Sequence, residues 1–231
     1  MNLNSLKKKI ATYQSTKKVT KAMQNIASVK VTKLKHKTLL TKANLKHIVE
    51  LISLSQALEP SQSYHIIFGP KKGLCGGMSR KILSELVIKK ESTIIVAELP
   101  LAKLISERGQ KILACYTELN DESFPIIDIY NQIIKLDNIN ITITFPCIIN
   151  HVYSLNNIEF GYINSPKDKI SLYSNLEHAY YETRLCEETK RIEAMQAASD
   201  NCQSLLDSTK LKYFKTRQAK ITAEILEISN Q

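Results

Sequence analysis

Every glycine and proline of the chain lies between Pro60 and Pro166: Gly69, Gly73, Gly76, Gly77, Gly109 and Gly161, with Pro60, Pro70, Pro100, Pro125, Pro146 and Pro166. These two residue types penalise a helix interior most, so residues 1–59 and 167–231 are free to form long helices. Roughly 40 helical residues would span about 60 Å, more than the width of a small domain. Two arms at opposite ends of one chain, with a breaker-rich segment between them, most simply fold back as an antiparallel coiled coil.

The apolar spacing supports this. In the C-terminal arm Met195, Ala198, Cys202, Leu205, Thr209, Lys212, Thr216, Ala219, Ala223 and Leu226 follow alternating steps of three and four, the spacing of a coiled-coil seam. The seam is thin, because Ala, Thr and Cys dominate it and Lys212 interrupts it. In the N-terminal arm Leu3, Leu6, Ile10 and Tyr13 keep the step, Lys17 and Thr20 break it, and Met23, Ile26, Val31 and Leu34 resume in a shifted register. An ordinary helical bundle satisfies the same pattern, since periodicity reports a buried face and not its partner.

The middle alternates strand and helix. Tyr64–Phe68 is an apolar run ending at Gly69-Pro70. A glycine turn and a helical stretch from about Met78 to Lys90 follow, then a strand at Thr93–Ala97, a helix opened by Pro100 and a strand at Lys111–Cys115. That order predicts βαβ units and a parallel sheet. Ile139, Ile141, Ile143, Phe145 and Cys147 alternate with polar residues and Pro146, which predicts a strand buried on one face and close to a sheet edge. The expected fold is α+β: a long antiparallel coiled coil of helices 1–59 and 167–231 around a small α/β, Rossmann-like insert at 60–166.

Charge is distributed unevenly. The chain has 32 Lys and Arg against 22 Asp and Glu, yet residues 1–49 hold 12 Lys and no Asp, Glu or Arg. The rest carries 20 basic and 22 acidic side chains, so the N-terminal arm produces the whole excess. A surface of one sign steers towards an acidic partner. Nucleic acid is one such partner, but Tyr13 is the only aromatic in those 49 residues, a poor provision for base stacking. Cys75, Cys115, Cys147, Cys186 and Cys202 form no CxxC pair and suit reduced thiols. No targeting segment is read, and the uncharged run from Asn138 to Ile158 carries five Asn and Pro146, unlike a membrane span.

The turn from Gly69 to Gly77 follows a strand, precedes a helix and has two adjacent lysines, so it is the one place suited to a phosphate. It lacks GK[ST] and the GxGxxG spacing, and is expected to be a structural turn in which Gly73, Gly76 and Gly77 supply tight backbone, without ATP binding. His36, His47, His65, His151 and His178 are scattered, with no metal spacing and no Ser/His/Asp order. No catalytic residue, cofactor or metal site is expected.

Two terminal stretches carry a resemblance. Ser5-Leu-Lys-Lys-Lys-Ile10 and Ser15–Met23 open the chain. Glu187, Arg191, Ala194-Met195, Ala197-Ala198 and Asp200-Asn201 precede Tyr213, Arg217-Gln-Ala219, Ile221-Thr222, Glu224 and Glu227-Ile228. Together with Gly73-Leu-Cys-Gly-Gly77 they resemble the gamma subunit of the rotary F-type ATP synthase, end to end. The chain is shorter than is usual there, with the missing length between about Glu118 and Glu187; Phe214 and Thr32 depart from the family's common residues.

The resemblance implies a non-catalytic shaft, one per complex, turning in a ring of alpha and beta subunits. It implies partners in an epsilon subunit and a membrane c-ring, at the cytoplasmic face of a bacterial inner membrane. It implies contacts to a beta subunit through Arg217, Gln218, Thr222, Met23 and Lys21, and small residues at Ala198, Ala219 and Ala223 that let the two helices approach closely. A nucleic-acid-binding coiled coil using the Lys-rich arm is the alternative reading.

Overall fold

The computed structural model describes residues 2–51, 62–88, 92–117, 125–135, 139–149, 152–160 and 166–229. The expected boundary at 59/60, Gly161 and the end of the helix expected to reach Lys90 lie outside them. The elements run α1 (Leu3–Leu51), β1 (Gln62–Phe68), α2 (Met78–Glu85), β2 (Ser92–Ala97), α3 (Leu99–Glu107), β3 (Ile112–Tyr116), α4 (Pro125–Ile133), β4 (Ile139–Ile149), β5 (Val152–Phe160) and α5 (Pro166–Ser229). The two long helices lie in the breaker-free arms, α5 starting at Pro166. Two compact units result: Met1–Ser28 with Arg191–Gln231, and Val29–Lys190.

In the first unit α1 and α5 pair antiparallel: Lys17 Nζ donates to Gln203 Oε1 at 2.6 Å and Gln24 Nε2 to Gln196 Oε1 at 2.8 Å. The inward residues of α1 are Leu3, Leu6, Ile10, Tyr13, Lys17, Thr20, Gln24 and Ala27, an unbroken three-four alternation. Lys17 and Thr20 therefore do not break the seam, and no register shift occurs. Ile26 is 60% exposed whereas Ala27 is 1% exposed. Polar residues hold seam positions because each finds a partner there, Lys17 across the seam on Gln203 and Thr20 on the Lys17 carbonyl at 3.0 Å.

The facing seam of α5 is Met195, Ser199, Cys202, Leu206, Thr209, Tyr213 and Thr216. Leu205 and Lys212, read as inward, point out, and the layers expected there are built by their neighbours Leu206 and Tyr213. The exchange buries one Leu for another and spares Lys212 desolvation. Ala219 and Ala223 do not pack between two helices. Both are exposed, and Ala219 lines a groove with Asn2, Leu3, Asn4, Thr216 and Lys220.

The second unit is built on a five-stranded sheet ordered β3-β2-β1-β4-β5, parallel except for the β4–β5 pair. Side chains alternate across β1 and β2. Tyr64, Ile66, Phe68, Ile95 and Ala97 join α4 and the Leu172–Tyr181 stretch of α5 on one face, while Ile67, Ile94 and Val96 join α2 and α3 on the other. Helices α2 and α3 return the chain on one face. The connection through α4 places β4 on the opposite side of β1, which puts the reversal of strand order between β1 and β4.

Three expectations are corrected here. Helix α2 stops at Glu85, where Leu86 turns extended (φ −71°, ψ 120°) and packs its side chain, with that of Ile88, against the core. Strand β4 is buried at every residue from Ile143 to Cys147 and is an inner strand, because β5, which the sequence did not announce, pairs along its second edge. Pro146 does not mark an edge strand. Its position lies beyond the β1 pairing, which ends at Thr144, so the missing N–H breaks no β1–β4 bond. Helix α4 also went unread.

Gly69 closes β1 beneath α3, with its N–H on the Ala97 carbonyl at 3.1 Å. A Cβ there would fall 2.8 Å from Cβ and 2.9 Å from Cδ2 of Leu101, which is fully buried. Gly69→Ala is expected to cost about 1–3 kcal/mol through overpacking. A urea midpoint equal to that of the unaltered chain would show that α3 yields freely.

Candidate functional sites

The glycine turn stands at the carboxyl end of β1, beside the strand-order reversal where open α/β sheets bind ligands. Gly76 (φ 63°) and Gly77 (φ 73°) adopt the left-handed conformation that lets the chain enter α2, and Leu74 shares it at φ 64°. Gly73 has open space around it. Two backbone donors of this turn point at one side chain of the same chain. The N–H groups of Lys71 and Lys72 each donate to a Glu187 carboxylate oxygen, Oε2 and Oε1, both at 3.0 Å.

Arg184, one helical turn before Glu187, donates to its Oε2 at 2.8 Å through Nη1 and to Glu98 Oε1 through Nη2. All three charged residues are at least nine-tenths buried. Burial alone would push the Arg184 guanidinium down, but the Glu187 and Glu98 carboxylates outweigh it and hold the group above its ordinary value. Glu98 bears a left-handed φ of 89° at the end of β2, and its N–H bonds the Tyr116 carbonyl at 2.8 Å. Neither Glu98 nor Arg184 was singled out from sequence. The available signal was a lone acid straight after the apolar β2 run and before Pro100.

Cys75, Cys147, Cys186 and His65 lie in the core, whereas Cys115, His36 and His47 are exposed. Burial, with Cys147 nearby, pushes the Cys186 thiol up to about 12, far from a reactive thiolate. His65 is buried and shares a 2.7 Å hydrogen bond with Thr144 Oγ1. Among the described residues no group of His, Cys, Asp and Glu could hold a metal, and no helix is long and apolar enough to cross a membrane.

The residues implied as partner contacts lie in the first unit and on its surface. Arg217, Gln218 and Thr222 are exposed, as is every residue of α5 from Arg217 to Ser229. Thr222 Oγ1 donates to the Gln218 carbonyl at 3.0 Å, and Gln218 and Thr222 line one shallow groove with Lys215, Ala219, Ala223 and Leu226. Arg217 does not line that groove. Met23 is half-buried; exposed Lys21 donates to Gln24 Oε1 at 3.0 Å and keeps its charge at the surface.

A helix pair in the breaker-free arms, an α/β insert whose glycine turn is closed by the chain's own carboxylate, and an exposed end of α5 are the molecule's candidate surfaces. The chain belongs to the ATP synthase family, whose model matches residues 2–144 and 169–230. It is 25% identical over 287 aligned positions to the ATP synthase gamma chain of Amoebophilus asiaticus (strain 5a2), covering 99% of this chain and 97% of that one. To the gamma chain of Histophilus somni (strain 2336) it is 28% identical over 276 positions, covering 96% of each.

Alignments longer than the 231 residues present mean that these relatives carry segments this chain lacks. The family model leaves residues 145–168 unmatched. In fold, the chain resembles one from the Euglena gracilis mitochondrial ATP synthase, OSCP/F1/c-ring (TM-score 0.81, 13% identity, 99% and 92% covered). It also resembles one from the rotor of that enzyme (TM-score 0.79, 12% identity, 95% and 98% covered).

Proposed function

We propose that the chain is the central-stalk gamma subunit of a rotary ATP synthase. It couples the turning of a membrane ring to conformational change in the catalytic beta subunits and is itself non-catalytic. One copy stands in a ring of alpha and beta subunits, with an epsilon subunit and the c-ring as further partners, at the cytoplasmic face of a bacterial inner membrane. The nucleic-acid-binding alternative is not supported.

The observation that carries this reading is the end of α5. Ile221, Ile225, Leu226 and Ile228 are exposed alongside Arg217, Gln218, Thr222 and Glu224, so apolar and polar groups face outward together. A helix of that composition needs an enclosing partner with both kinds of surface, as a close-fitting bore provides. A partner shifts a conformational equilibrium only through unequal contacts with its states, so a shaft whose faces differ presents each catalytic site with a different surface in turn. The acid-free lysine arm suits acidic loops on those partners through exposed, salt-screened contacts. Met23 is read as a bearing contact, because an unbranched side chain can slide where a cation would form an ion pair.

Reconstitution with alpha and beta subunits tests the reading: ATPase activity is expected to depend on this chain, and its failure to co-assemble would sink the proposal. Met23→Lys is expected to leave assembly intact while lowering ATP-driven proton pumping per ATP hydrolysed. An unchanged ratio would remove Met23 from the bearing.

A further inference from the structure

A turn that follows a parallel strand, sits at the strand-order reversal and directs two successive N–H groups at one carboxylate has the build of an oxyanion site. Its ligand is already present. Glu187, 2% exposed, places one oxygen on each N–H, and Arg184 completes the set from the helix side, as a cation does beside a bound oxyanion. The turn lies 115 and 116 residues from Glu187 in the chain. The contact therefore joins an insert loop to the closing helix by one charge-assisted cluster, where apolar packing alone would allow sliding.

We propose that the glycine turn is an oxyanion seat whose resident ligand is the chain's own Glu187 carboxylate, and that this seated carboxylate holds α5 to the insert when the shaft carries torque. The seat is specific for a planar carboxylate. Small carboxylates occupy it when the Glu187 side chain is removed. The holding role rests on the rotor reading above; the occupancy of the seat does not.

The test uses the full chain and formate as the probe, with chloride at equal ionic strength as control. Glu187→Ala is expected to lower the melting temperature by about 6–20 °C, the scale of a broken buried charge cluster in a chain of this size. Formate is expected to restore a substantial part of that loss and chloride none. The unaltered chain and Glu187→Gln, whose seats are filled, are expected to show no such difference. If Glu187→Ala does not fold in chloride, its refolding yield in formate against chloride is the readout. Equal effects of formate and chloride on Glu187→Ala, or formate stabilising the unaltered chain as much, would overturn the seat.

In the assembled complex Glu187→Ala is expected to keep ATP hydrolysis but lose most proton pumping per ATP, with formate recovering it. Unchanged pumping would overturn the holding role. Failure of the unaltered chain to assemble would count against the rotor reading and leave the formate result standing.

Discussion

Arg184→Ala is expected to cost about 3–5 kcal/mol, the scale for removing one member of a buried ion pair and leaving its partner's charge in the interior. Here two carboxylates share the guanidinium, Glu98 through Nη2 and Glu187 through Nη1, and both are almost wholly buried. Against a total stability of roughly 5–15 kcal/mol, a loss of that size leaves little margin. Arg184→Lys is expected to recover only part of it, since an ammonium on a single stem cannot span two carboxylates as a planar fork does. Replacing the pair together, Arg184→Met with Glu98→Gln, is expected to cost less than Arg184→Ala, because no carboxylate at position 98 is then left buried. Urea unfolding of the full chain measures all three. A single-variant loss below about 0.5 kcal/mol would mean that water reaches the cluster readily.

Arg217→Ala with Gln218→Ala is expected to lower ATP hydrolysis and synthesis by the assembled complex about tenfold or more, while assembly falls much less. Hydrogen bonds to charged groups are worth about 1.5–3 kcal/mol net, and a contact made only in the rate-limiting state appears in full in the rate. Both side chains are exposed on α5, so their removal is expected to leave the fold of the chain unchanged. Arg217 offers a fork suited to a carboxylate, and Gln218 both donates and accepts. The groove beside Gln218 and Thr222 is floored by Ala219 and Ala223, small enough to admit a partner's side chain. Normal hydrolysis together with normal proton-driven synthesis would show that these residues are solvated helix groups and nothing more.

Arg217, Gln218 and Thr222 stand in a motif that resembles a known family, and the tertiary structure leaves all three exposed. The Glu187 seat was not legible as a seat. The turn was read as a structural one that fails as a nucleotide loop, and Glu187 as part of a terminal motif; nothing local joins the two. The thin α5 seam misled in the opposite sense. A three-four and a four-three alternation both pass through Met195, Cys202, Thr209 and Thr216 and differ by one residue at the positions between, and sequence spacing does not choose between Leu205 and Leu206.

By itself the sequence determined that both termini are long helices and that the α/β unit lies between them, because helix-breaking is a local property of Gly and Pro backbones and all twelve are confined to the middle. Tertiary structure decided which residue of each turn faces inward, since that depends on where Lys17, Gln24, Gln196 and Gln203 meet their partners across the seam. It also decided that β4 is an inner strand, paired along its second edge with β5, and that the anion-shaped turn closes on Glu187. Those outcomes come from contacts between segments far apart in the chain, whose energies exist only once the backbone has brought them within hydrogen-bonding distance.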